Sequence, residues 1–305
     1  MYPMAQINAS RSRMDARAFP IIEAEPLMIE KLSADQESEV MTFLNERSIH
    51  TFGMAGFIRS NGVVSPHNHG EFYACRDQQG GLQGVALIGR YILVETRTDA
   101  AIEAFAHLAQ NCRDAHMLLG EQDQVETFWN HYVDGGQTAG KSCREYLFEQ
   151  RWPVEVKPAV PGLRLATIED LDLIVPAHAQ IAFDESGIDP LQVDPERFRQ
   201  RCARRIELGQ SWVLVEDGKL IFKAEVVSDT PEIIYLEGIW VDPQERGRGI
   251  GSRCMSQLSR SLLVRSASVC LLVNEENGSA RAFYEKAGFK FVSYYDTIYL
   301  KQQVH

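Results

Sequence analysis

Apolar positions along the second half of the chain switch between a period of two and a period near four, and the switches mark out an ordered set of elements. "LRLA" reads as a short strand, and Thr167 with Asp170 stands at capping-box spacing in front of a helix over "LDLIVPAHAQIA". "DPERFRQRCARRIELGQ" predicts a second helix. "SWVLVEDGKLIFKAEVVS" holds two apolar runs around Asp217 and Gly218, a strong two-residue hairpin signal. "EIIYLEGIWVDP" is a further strand, after which Cys254, Met255, Leu258 and Leu262 fall on one helical face. "SVCLLVNEEN" then reads as a strand, "SARAFYEKAGF" as a helix closed by Gly288, and "KFVSYYDTIYLK" as one or two strands. The order is strand, two helices, three strands, helix, strand, helix, strand.

The first half repeats that order in weaker form, which is the signature of an internal duplication. Ser33 and Gln36 have the capping spacing of Thr167 and Asp170; "EFYACRDQQGGLQGVALIG" matches the hairpin, and "RYILVE" matches "IIYLEG". "AAIEAFAHL" matches "SRCMSQLSR", and "AHMLLGEQDQVETFWNHY" matches "SVCLLVNEENGSARAFYEK". Between the two copies lies "WPVEVKPAVPG", residues 152–162, where three prolines forbid a regular helix and favour extended linker geometry. The expected division is therefore a flexible arm over 1–26, a first domain over 27–151, a linker over 152–162 and a second domain over 163–305.

Composition narrows the function classes. The 305 residues are 45% apolar and 24% charged, ordinary for a soluble globular protein, and the net charge is −11. The acid excess is spread over both halves, so no basic face is available for nucleic acid, while a cationic substrate such as an amine suits an acidic mouth. Six cysteines stand apart without a C-x-x-C pair, which predicts a reduced, cytoplasmic chain with no zinc knuckle. Arg11, Arg13 and Arg17 near the N-terminus precede no apolar core of signal-peptide length, and no run approaches a membrane span. "SPHNHGE" gathers His67, His69 and Glu71, but alternate histidines in a proline- and glycine-flanked loop are the mark of a solvated loop, and no metal is expected.

One stretch carries chemistry. "DPQERGRGIGSR", residues 242–253, lies between a strand and a helix, where unpaired backbone N–H groups favour an anion. Its glycines let the backbone approach a phosphate closely. The spacing is not the G-x-G-x-x-G of dinucleotide folds, and no Lys-Ser or Lys-Thr follows the last glycine as a nucleotide P-loop requires. What remains is R-x-x-G-x-G at Arg246, Gly249 and Gly251, preceded by "YLEGIWVDP" and followed by "NGSARAFYEKAGF".

With these two motifs and the element order over roughly 163–300, the second half resembles the GNAT superfamily of acetyl-CoA-dependent N-acyltransferases. The resemblance implies an α/β (α+β) fold of two GNAT-like domains, each a mixed, mostly antiparallel twisted sheet flanked by helices. The first copy has "ETRTDAA" where the phosphate loop would be and is expected to be degenerate. The implied cofactor-binding set is Ile239, Trp240 and Val241 along the pantetheine arm of acetyl-CoA, then Arg246, Gly247, Arg248, Gly249, Ile250, Gly251 and Ser252 around the pyrophosphate, with Asn277, Ala280 and Tyr284 beyond. Gly238 sits where a mid-strand bulge would splay the sheet.

In such a reaction an amine must lose a proton, a carbonyl must be polarised and a sulfur must leave protonated. The resemblance implies Glu237 as base through water, a backbone N–H near Val241 for the carbonyl and Tyr284 as acid to the sulfur. Glu237 could instead be held in a salt bridge, Tyr284 could serve only as packing, and Asn277 could simply cap its helix. Asp184 and Glu185, in "FDESGID" with Asp189, are candidate acceptor contacts. The expected function is acetyl transfer to a primary amine of a small molecule or peptide; the alternative is a non-catalytic acyl-CoA sensor with a partner-binding first domain. Neither the acceptor nor the oligomeric state is legible.

Overall fold

The structure, a computed structural model, describes residues 27–301; the expected arm over 1–26 lies outside them. The first half runs β1 (Met28–Lys31), α1 (Glu37–Asn45), α2 (Ser48–Asn61), β2 (Gly70–Arg76), β3 (Leu82–Gly89), β4 (Tyr91–Thr96), α3 (Asp99–Ala109), β5 (Met117–Glu121), α4 (Gln122–Tyr132) and β6 (Ala139–Gln150). The second runs β7 (Leu163–Leu165), α5 (Leu171–Ser186), α6 (Pro190–Val193), α7 (Pro195–Glu207), β8 (Ser211–Glu216), β9 (Lys219–Asp229), β10 (Ile234–Val241), α8 (Ile250–Leu262), β11 (Val269–Asn274), α9 (Gly278–Lys286) and β12 (Lys290–Leu300). Apart from the one-turn α6, the two halves have the same order of elements.

Local chemistry accounts for most boundaries. Both capping boxes form: the backbone N–H of Ser33 donates to Gln36 Oε1 at 2.9 Å, and that of Thr167 to Asp170 Oδ2 at 2.8 Å. Asp217 and Gly218 both take positive φ, 49° and 74°, as a tight two-residue turn between β8 and β9 needs. The apolar face of α8 is fully buried at Cys254, Met255, Leu258 and Leu262. Pro-rich residues 152–162 contain no helix or strand, yet they are strapped across α8 rather than free. Gln257 bonds both backbone groups of Val160, at 2.8 and 3.1 Å, and Arg253 donates to the carbonyls of Pro158 and Ala159.

Instead of two sheets there is one, with strand order β1-β2-β3-β4-β5-β12-β6-β11-β10-β9-β8-β7. Its pairs are antiparallel except β4 with β5 and β10 with β11. The last strand of each half has crossed over: β12 pairs with β5 of the first half, β6 pairs with β11 of the second, and β12 and β6 pair with each other along Lys290–Leu300. The chain division expected at 152–162 is therefore not a division of the sheet, because residues 139–150 and 290–300 lie on the far side of it.

Side-chain alternation gives the sheet two packed faces. Phe148 joins the core under α8 and α9, while its neighbour Leu147 joins Phe52 of α2 and Tyr295 on the opposite face. Helices α3 and α4 extend the first face, and α1, α5 and α7 extend the second. Helix α2 crosses from the first half onto β9 and β10 of the second. Ser228 Oγ donates to the Phe52 carbonyl at 2.9 Å, Phe52 stacks on Tyr235 with centroids 4.4 Å apart, and Arg59 pairs with Glu232 at 3.3 Å. A Cβ at Gly56 would lie 2.4 Å from Ser228 Oγ, so the helix meets the strand as closely as glycine allows.

Candidate active site

The glycine-arginine segment forms a turn from the end of β10 into α8. Gly247 and Gly249 take φ of 77° and 83°, a conformation open to glycine, and Gly249 is the residue from which α8 starts. Among the described residues, none accepts a hydrogen bond from the backbone N–H groups of Arg246, Gly247, Arg248, Gly249, Ile250, Gly251 or Ser252. The Ser252 hydroxyl is also buried without a partner. Gly251 is placed by packing, since a Cβ there would meet Val241 Cγ2 at 2.9 Å and Phe283 at 3.3 Å. Arg246 bonds the Val241 carbonyl through Nε, and Arg248 pairs with Glu245 at 2.9 Å, so both guanidiniums stay beside the turn. A row of free N–H groups at a helix start, flanked by two arginines, is suited to a phosphate or pyrophosphate.

The strand leading into the turn is parted from its neighbour. β10 pairs with β11 only through Ile234, Tyr235 and Leu236, and its register with β9 slips between Glu237 and Trp240 around Gly238, whose φ is 58°. Beyond Leu236 the backbone of Ile239 and Val241 has no strand on the β11 side. The side chains of Ile239 and Val241, with Ile250 and Ala280, pack toward the α8–α9 core, whereas Trp240 packs with the α5–α7 core.

Behind the bulge lies a charged cluster that the apolar reading of "LIFKAEVV" passed over. Lys223 Nζ, fully buried, bonds the Gly238 carbonyl at 3.1 Å and His178 Nδ1 at 3.1 Å, and forms an ion pair with Glu225 at 2.9 Å. Burial, and then the nearby Arg205, push the Lys223 ammonium down to about 7 against the pull of Glu237. Burial and the same cations hold the His178 imidazole well below its ordinary value, so it is neutral. Arg205 bridges Glu225 and Glu237, reaching Glu237 Oε1 at 2.8 Å. Glu237 is thus salt-bridged and still about a third exposed, at 35% of its side chain. The sequence signal for this cluster is Lys223 and Glu225 at i and i+2, both turned to one side of an otherwise apolar strand.

Tyr284 comes from α9 to the parted edge. Its ring packs edge-on against Phe283 and Phe289 and only 7% of the residue is exposed, yet among the described residues its hydroxyl has no hydrogen-bond partner. Burial, and then Glu185, raise its pKa above that of free tyrosine, so the phenol is held protonated. Glu185, at the end of α5, is exposed by area but its carboxyl faces Glu237 and Glu145. Burial and those two charges push it up to about 7. Glu145, from the exchanged strand β6, accepts from Thr297 at 2.7 Å and is raised by burial first. Asp184 is engaged elsewhere, with Gln180 at 2.7 Å, and Asp189 caps α6. Asn277 caps α9, accepting from Ala280 N–H at 3.0 Å.

The corresponding place in the first half is closed. Helix α3 begins after Thr98, whose side chain accepts from Ala101 N–H, and no glycine turn precedes it. β4 and β5 also part, after Ile92, but Arg47 spans the gap, reaching Glu95 at 3.1 Å and Glu121 at 2.5 Å. Arg97 reaches the same Glu95. In the sequence Arg47 carries no pattern that marks it for this position.

The sequence of residues 207–291 matches the family model described as Acetyltransferase (GNAT) domain. No curated protein matches the chain. Among solved structures, a Drosophila protein is 14% identical, with 90% of this chain and 99% of that one covered at a TM-score of 0.64. A tandem GNAT protein from the clavulanic acid biosynthesis pathway is 12% identical, covering 92% and 100% at a TM-score of 0.57. A GNAT-family acetyltransferase from Colwellia psychrerythraea is 14% identical, covering 90% and 100% at 0.56.

Proposed function

From a GNAT acetyltransferase domain at residues 207–291, in a chain with the tandem GNAT fold, we propose that the protein transfers an acetyl group from acetyl-CoA to a primary amine, using one active site in the second half. The observation that carries this reading is the run of N–H groups from Arg246 to Ser252 at the start of α8, unbonded among the described residues and directly beyond the parted end of β10. The pyrophosphate of coenzyme A would lie on those groups and the pantetheine arm along Ile239 and Val241, pairing with free backbone as an added strand does.

Glu237 takes the proton of the incoming ammonium through water, with Arg205 holding one carboxylate oxygen and leaving the side chain open to solvent. The neutral amine attacks the thioester carbonyl, whose developing negative charge is stabilised by a backbone N–H of the bulge. The C–N bond forms, the C–S bond breaks, the nitrogen gives up its second proton to water, and Tyr284 gives its proton to the departing sulfur before being reprotonated from water. The burial that raises the phenol's pKa also raises that of a thiolate beside it, so the transfer remains matched. Burial holds Glu185 and Glu145 toward their neutral forms, and a cationic amine docked on the acceptor side beside them and Glu237 would draw both toward the charged form.

Titration of the full chain with coenzyme A by calorimetry, followed by a free-thiol assay with acetyl-CoA over diamines, amino acids, aminosugars and peptides, tests the reading. One coenzyme A per chain and thiol release with at least one amine are expected. Tight coenzyme A binding without thiol release across the panel would overturn the transfer reaction.

A further inference from the structure

The outer face of the first half gathers three metal-ligating side chains that no part of the proposed reaction uses. Glu103 and His107 are one helical turn apart on α3, and His131 is in the last turn of the neighbouring α4. One potential ligand atom from each lies within 4.8 Å of the others. The two imidazoles meet edge to face, with centroids 6.1 Å apart and planes 78° apart, so neither ring blocks the other's nitrogens by stacking. From this convergence we infer that Glu103, His107 and His131 form a binding site for a divalent transition-metal ion of zinc type, with water completing the coordination.

The donor chemistry fits that class. Two imidazole nitrogens and one carboxylate oxygen form the mixed set that zinc and cobalt accept in tetrahedral sites with an open position. Metal–ligand bonds of about 2.1 Å place tetrahedral ligands about 3.4 Å apart, so the three groups need draw in by no more than about 1.4 Å. Glu103 and His107 are exposed and His131 half-buried, so side-chain rotation alone supplies that movement.

The backbone beneath is fixed and suitably polarised. Phe105, Ala106 and Ala109 of α3 and Phe128 and Tyr132 of α4 lie in one buried cluster, which holds the helices together under the site. Gln110 ties their ends, donating from Nε2 to the carbonyl of His131 at 2.8 Å. The histidines stand in the last turns of two helices that follow parallel strands, so both negative helix ends face the same side, where a cation is favoured. The ion would fasten α3 to α4 on the half of the chain whose phosphate turn is missing.

The test uses the untagged full chain, stripped with chelator and titrated with Co²⁺ and then Zn²⁺, reading the visible cobalt bands and melting temperature. One equivalent of Co²⁺, displaced by Zn²⁺, and a melting temperature that rises with either ion are expected. His107→Ala and His131→Ala, each checked for native circular dichroism, should weaken uptake at least about tenfold, and Glu103→Gln should weaken it less. His67→Ala/His69→Ala should leave uptake unchanged. Absence of saturable uptake by the wild-type chain, or undiminished uptake by the His107→Ala/His131→Ala chain, would overturn the site. The readout is independent of acetyl transfer, so it stands or falls separately from that reaction.

Discussion

The seating of α2 on β9 makes a prediction in which two glycines of one helix respond to the same substitution with opposite sign. Gly→Ala in a helix interior ordinarily stabilises by about 0.5–1 kcal/mol, because the unfolded chain loses freedom. At Gly53 the new methyl would meet only the end of Leu93's side chain, at 3.3 Å, which can give way. At Gly56 it would lie 2.4 Å from Ser228 Oγ, 2.7 Å from its Cβ and 3.3 Å from its Cα, so rotating the hydroxyl does not relieve the clash. The helix must lift from the strand at an overpacking cost of about 1–3 kcal/mol. Lifting also parts Ser228 Oγ from the Phe52 carbonyl, and a buried unpaired polar group costs about 1–3 kcal/mol more. After the helix gain the net loss is about 1–5.5 kcal/mol, and at an unfolding entropy of about 2.1 cal/mol/K per residue the melting temperature falls by about 2–9 °C. Differential scanning calorimetry on Gly53→Ala and Gly56→Ala reads both signs. A Gly56→Ala protein that melts at or above wild type would refute the close apposition of the halves. If it melts lower, coenzyme A affinity should hold, since α2 packs on β9 and β10 at Ser228 and Tyr235 and not on the phosphate turn.

Tyr284→Phe should lower kcat by about 10²- to 10⁴-fold with coenzyme A affinity and melting temperature unchanged, because the hydroxyl has no hydrogen bond to lose among the described residues. Steady-state thiol release beside calorimetry reads this, and a kcat within threefold of wild type would remove the residue from the reaction. Calorimetry on Arg47→Ala should still give one coenzyme A per chain: opening the gap between β4 and β5 restores no phosphate turn, and a second site would contradict the closure argued for the first half. Glu185 binds more protons folded than unfolded between its ordinary 4.5 and about 7, so the stability it contributes at low pH is lost as pH rises through 7. Glu185→Gln should therefore raise the melting temperature relative to wild type at pH 8 and leave the difference near zero at pH 4.5; equal differences at both would refute the assignment.

What the sequence made legible was local. Asp217-Gly218, the two capping boxes and the α8 stripe each encode their geometry within a few residues, and the element order followed from them. The anion turn was readable because positive φ calls for glycine at 247 and 249. Strand exchange was not, because β6 and β12 pair across more than a hundred residues and nothing within either strand names its partner. Arg47 and the Lys223–His178–Arg205 cluster escaped for the same reason, since each is given its role by groups brought from distant elements. Glu103 and His107 stand at helical spacing in the sequence, but His131 completes the set only once α3 and α4 lie side by side.

The crossing of β6 and β12 also sets a timetable for synthesis. β6 ends at residue 150 and the strand that covers its free edge begins at 290, so at 5–20 residues per second roughly 7–28 s separate the two on the ribosome. During that interval β5 and β6 both present unpaired edges, the kind of surface on which nascent chains aggregate or swap strands. Neither repeat can be finished ahead of the other. A chain that lost its first copy would leave β11 with β10 on one edge and nothing in place of β6 on the other, so the copy lacking a phosphate turn is part of the sheet that carries the site.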